Sequence, residues 1–95
     1  MKILAVERET GNTELQNESR VLADEASAVY AMYLNGNIRE IYFTEMNTAV
    51  LILECRDTSE ASGLLGKLPL VQNGLISFEI SELRPYTGFS RLMQQ

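Results

Sequence analysis

Residues 48–55 read "TAVLILEC", and from Ala49 to Leu53 every side chain is apolar. Successive side chains of a strand point to opposite faces, so a strand that is apolar at every position needs cover on both sides and belongs in the middle of a sheet. A second run of this kind opens the chain. Residues 2–6, "KILAV", are followed by the charged "ERE", which reads as a buried strand over about residues 2–8.

Two further strands have a different pattern. In "NIREIYFTE", residues 37–45, Ile41 and Phe43 fall on one face and Glu40, Tyr42 and Thr44 on the other. In "LISFEISEL", residues 75–83, Ile76, Phe78 and Ile80 alternate with Ser77, Glu79 and Ser81. Such one-sided strands suit the edges of a sheet.

Between the strands lie two helical patterns. After the polar loop "ETGNTE", Thr13 and Gln16 form a capping box, and Val21, Leu22, Ala26, Val29, Tyr30, Tyr33 and Leu34 recur at helical spacing until Asn35-Gly36 stops the helix. Asp57 and Glu60 frame the start of a shorter helix with the stripe Ala61, Leu64, Leu65 and Leu68, which Pro69 ends. The order strand, helix, strand, strand, helix, strand is the split βαβ pattern of the ferredoxin-like α+β fold. That topology puts the first and third strands of a four-stranded antiparallel sheet in the centre, and these are the two doubly apolar runs.

Two helices cover one face of such a sheet. The central strands also send Leu, Val and Ile to the other face, an apolar patch that a monomer rarely leaves in water. Face-to-face packing of two sheets in a homodimer covers it, and gives a dimeric α+β barrel as the expected assembly. Across the last strand Glu79 is open to two readings, a solvated carboxylate or a general base held in a cleft.

The 95 residues suit a single domain spanning 1–95, and 45% hydrophobic content against 22% charged residues places the chain among ordinary globular proteins. The net charge is -5 and the eight Lys and Arg are scattered, so no basic stripe is offered to nucleic acid. No apolar run approaches the roughly 20 residues of a membrane span. "MKILAV" is too short for a secretory signal, and the lone Cys55 has no intramolecular disulfide partner, which together point to the cytoplasm. With no histidine and no second cysteine, neither a metal site nor an activated thiol is expected; Cys55 reads as a buried structural thiol.

The segment "LPLVQNGLISFEISEL", Leu68 to Leu83, preceded by "EASGLLGKLPL", resembles the part of muconolactone isomerases and their relatives where a helix ends in a Leu-Pro-Leu turn and a last strand follows. The resemblance implies a dimeric α+β barrel that assembles with itself, sometimes further into rings, and binds a small molecule. It implies a cofactor-free isomerisation of a small unsaturated lactone by proton transfer. Such chemistry needs a sheltered acid/base group, and in a chain without histidine a carboxylate or a tyrosine has to serve.

The candidates are Glu79, Glu40 and Tyr42 as catalytic groups, with Tyr30, Tyr33 and Arg84 as substrate contacts. A pocket between helix and sheet could gather Tyr30, Tyr33, Tyr42 and one carboxylate, although tyrosines on an apolar stripe also serve as core residues with the hydroxyl at the rim. Glu7 and Arg8 lie where the first strand runs out. Arg84 could clamp a substrate carboxylate or form a surface ion pair. In the tail "YTGFSRLMQQ", Tyr86, Phe89, Leu92 and Met93 suit one face of a short helix packed on its own or a neighbouring subunit. Against the enzyme stands a second reading, a non-catalytic oligomer that binds a small ligand or a protein partner.

Overall fold

The computed structural model describes residues 1–11 and 19–93 of the chain. The strands are β1 (Lys2–Glu9), β2 (Ile38–Phe43), β3 (Ala49–Glu54) and β4 (Ile76–Leu83); the helices are α1 (Ser19–Leu34), α2 (Thr58–Leu65) and the single turn α3 (Pro69–Gln72). The strands form one antiparallel sheet in the order β2-β3-β1-β4. This is the ferredoxin-like α+β fold, with the two doubly apolar runs in the centre.

Register assigns the faces. Ile3 lies opposite Leu53 and Ala5 opposite Leu51, while on the other side Ala5 meets Ile80 and Glu7 meets Phe78. Ile3, Ala5, Leu51 and Leu53 are at most 1% exposed and form the core with Met32 of α1, Ala61 and Leu65 of α2, and Leu68. Burying each of the large side chains contributes about 1.5–3 kcal/mol. The opposite face, free of helices, carries Leu4 and Val6 of β1 and Val50 and Ile52 of β3 at its centre, all half-buried.

Strand β2 contains one irregularity. Ile38 pairs with Leu53 but Glu40, not Arg39, pairs with Ile52, so Arg39 is one residue too many for the ladder. The bulge brings Ile38 to the core face, where it is 1% exposed, and leaves Ile41 and Phe43 on that same face two and four residues beyond the extra one.

The proposed capping box of Thr13 and Gln16 lies outside the described residues. At the other end of α1, Gly36 adopts φ 91°, the left-handed conformation open to glycine at little steric cost. Asp57 caps α2, its Oδ1 accepting from the Glu60 backbone N–H at 2.8 Å, while Glu60 Oε1 accepts from the Arg56 N–H at 3.0 Å. Pro69 does more than end a helix: it is the first residue of α3, where a missing N–H goes unnoticed and a fixed φ helps. The turn after Leu68 is therefore itself helical.

After β4 the chain runs to a 3₁₀ segment, Gly88–Met93. Tyr86 and Phe89 pack edge to face, ring centres 4.9 Å apart, but Phe89 and Leu92 are each 68% exposed. The tail's apolar groups meet each other and not the core. The radius of gyration is 15.8 Å, against the roughly 12 Å of a compact domain of this length. Among the described residues no helix is long and apolar enough to cross a membrane.

Candidate functional site

Helix α1 fully buries a single side chain, Met32. The rest of its apolar stripe, Leu22, Ala26 and Val29, faces the sheet across a groove of about 740 Å³ whose floor includes Ile41, Leu51 and Phe78. The volume suits a small organic ligand. Because Ala26 is short, the middle of the stripe leaves space where a longer side chain would fill it.

Two carboxylates enter this apolar lining. Glu7 follows Ile3 and Ala5 on the core face of β1, and its Oε1 accepts from the Ala49 N–H at 2.8 Å. Glu25 comes from α1, where its Oε1 accepts from the Leu70 N–H at 3.0 Å. That bond supplies the cap α3 otherwise lacks, since its N-cap residue Leu68 has no side-chain acceptor. Half-burial pushes the Glu25 carboxyl above its ordinary range; the Leu70 N–H pulls the other way, and the nearby Glu7 charge adds to the rise. Among the described residues Glu25 Oε2 accepts no hydrogen bond, so it is open to a ligand.

Of the six residues singled out from the sequence, the fold brings four to this groove: Tyr30, Tyr33, Glu40 and Tyr42. Tyr30 and Tyr33 are 61% and 52% exposed, so they are rim residues and not part of the core. Glu40 and Tyr42 border the groove along β2, whose alternation directs their side chains to the helix-free face. There the Tyr42 hydroxyl donates to Glu40 Oε1 at 2.8 Å, which holds the phenol protonated and pushes its pKa up.

The other two lie elsewhere. Glu79 is on the helix-free face, in a 2.7 Å ion pair with Arg8. Arg84 sits beyond the far end of β4, with Glu82 at 3.4 Å. Cys55 is buried, and burial together with neighbouring Glu60 and Glu54 raises its thiol pKa, which disfavours the reactive thiolate. Among the described residues no three Asp, Glu, Cys or His side chains gather as metal ligands.

Glu25 escaped the sequence reading. Its signal was present: Leu22, Glu25, Ala26, Val29 and Tyr33 share one face of the helix, so Glu25 is a carboxylate set within an apolar stripe.

No family model matches the chain, and no curated protein matches it. Among solved structures it is similar to the 5-chloro-2-hydroxyhydroquinone dehydrochlorinase of Burkholderia phenoliruptrix in complex with 2,5-dihydroxybenzoquinone. The TM-score is 0.71 over 93% of this chain and 98% of that one, at 15% sequence identity. At this identity the likeness is one of fold.

Proposed function

We propose that the groove beneath α1 binds a small unsaturated ring compound bearing a carbonyl, and that Glu25 moves a proton on it without metal or organic cofactor, an isomerase-like reaction. The observation that carries the reading is the Glu25 carboxyl: half-buried, raised in pKa and part of the lining of a largely apolar groove. A general base works best with a pKa near the operating pH, and burial moves a glutamate in that direction. In the reaction, the Glu25 carboxylate takes a proton from the carbon next to the carbonyl and the electron pair passes to the carbonyl oxygen as an enolate. The resulting carboxylic acid returns the proton farther along the conjugated system. Tyr30 and Tyr33, which line the groove at its rim, supply hydroxyl donors for the enolate oxygen. The solved relative of the same fold, named for an action on a hydroxylated ring, lends support.

The test is proton NMR in D₂O with a panel of unsaturated lactones and hydroxylated quinones, following deuterium entry beside the carbonyl. Exchange by the native protein, reduced about 100-fold or more in Glu25→Gln, is the expected result. No exchange across the panel, or exchange that survives the substitution, overturns the proposal.

A separate observation favours self-association. Leu4, Val6, Val50 and Ile52 form a continuous apolar centre on the helix-free face, with the Arg8–Glu79 pair beside it. We propose that two copies pack these faces together, as the sequence pattern led us to expect. The non-catalytic oligomer, the second reading of the sequence, shares this assembly; deuterium exchange separates the two.

A further inference from the structure

The charged groups of the groove limit what it can hold. Glu7, Glu25 and Glu40 line it, against the single cation Arg39. Arg39 is tied to the turn before β2, where its Nε donates to the Gly36 carbonyl at 2.8 Å, and its charge is shared with Glu54 on the helix-free side of the sheet. Inside, a ligand therefore meets two carboxylates, apolar walls and the tyrosines of the rim.

We infer that the groove takes an uncharged ring carrying hydroxyl donors and turns away ligands that carry a carboxylate. The inference rests on the groove being the ligand site proposed above, and narrows the class of compound. A ligand carboxylate would be drawn out of water next to Glu7 and Glu25, in a lining whose three carboxylates outnumber its one guanidinium, where like charges repel more strongly than in bulk solvent. A hydroxyl does the opposite, since an ionised carboxylate is an acceptor only and gains from a donor. The number of free acceptors is also informative. Glu7 and Glu25 have each committed Oε1 to a backbone N–H, leaving one oxygen apiece. Two oxygens match two ring hydroxyls. An ammonium is drawn by the same carboxylates, but its charge has to leave water for largely apolar walls, a cost that a neutral hydroxyl does not carry.

The experiment compares three compounds on one ring: resorcinol, 3,5-dihydroxybenzoate and 3,5-dihydroxybenzylammonium, titrated at neutral pH into the native protein and followed by backbone amide shifts. Resorcinol is expected to bind at least about tenfold more tightly than the benzoate, in line with the cost of one like-charge contact. The gap should close in the Glu7→Gln/Glu25→Gln double variant. Each glutamine keeps an oxygen for the Ala49 or Leu70 N–H, and the single variants should each close part of the gap. Benzoate binding as tightly as resorcinol, the ammonium binding most tightly, or a gap that persists in the double variant overturns the inference while leaving proton transfer standing. Absence of any shift with all three compounds overturns it together with the groove as a ligand site. Loss of deuterium exchange alone touches only the chemistry.

Discussion

Glu25 has two separable physical roles, and substitution to Gln and to Ala distinguishes them. As an acceptor, Oε1 satisfies the Leu70 N–H at the start of α3. Losing a cap of this kind costs about 1 kcal/mol, offset by a few tenths through alanine's better helix propensity. Glu25→Gln keeps the acceptor, so it should exceed Glu25→Ala in stability by about 0.5–1 kcal/mol at every pH, both variants being neutral. In a domain of this size, 1 kcal/mol is roughly 4–8 °C in Tm. As an acid, Glu25 has a folded-state pKa above its unfolded value, so the native state holds the proton more tightly. Its stabilising contribution is full below the unfolded pKa and is lost as pH rises through the folded one. The native protein should therefore match Glu25→Gln under acidic conditions and fall below it as pH rises past the ordinary glutamate range. Urea unfolding of the three proteins from pH 3.5 to 8, at one protein concentration so that association is held constant, reads both effects. Equal stability of Gln and Ala variants refutes the cap. A native protein that gains on Glu25→Gln with rising pH refutes the buried acid.

Three further outcomes are expected. Ile52→Asp places a charge at the centre of the helix-free face and should convert the proposed dimer to monomer in size-exclusion chromatography with light scattering; a native protein that is already a monomer, or a dimer mass unchanged in the variant, would mean that the face is not the interface. Leu53→Ala, at a site with 0% exposure, should lose about 2–5 kcal/mol in urea unfolding, and a loss under 1 kcal/mol would mean that the core closes around the deletion. Gly36→Ala should lose about 1 kcal/mol, because φ 91° is strained for any residue with a Cβ; a neutral result would show that the turn after α1 relaxes.

The sheet could be read from the sequence because hydrophobic alternation has a period of two, and burial on one face or both follows from it directly. "TAVLIL" and "KILAV" could only be central strands. The features that escaped depend on three-dimensional neighbours. The helical turn begun by Pro69 rests partly on a carboxylate 45 positions away, Glu25, which no local pattern connects to Leu70. The extra residue at Arg39 is visible only against the register of β3. Tyr30 and Tyr33 follow the helical stripe, yet α1 fully buries only Met32, so the stripe borders a groove where a core was a reasonable expectation. Glu79 alternates outward as read, and its Arg8 partner comes from the neighbouring strand.

The bulge at Arg39 divides β2 into two parts with different tolerance for change. Before it, Ile38 is locked into the core; after it, Ile41 and Phe43 stand on the same face at 41% and 74% exposure, at the border of the groove. Mutation can therefore reshape residues 41–43, and with them the wall of the groove, while the anchor at Ile38 keeps the strand paired. Such a division separates the residues that shape the groove wall from the one that holds the strand in register, so the first can vary without loosening the second.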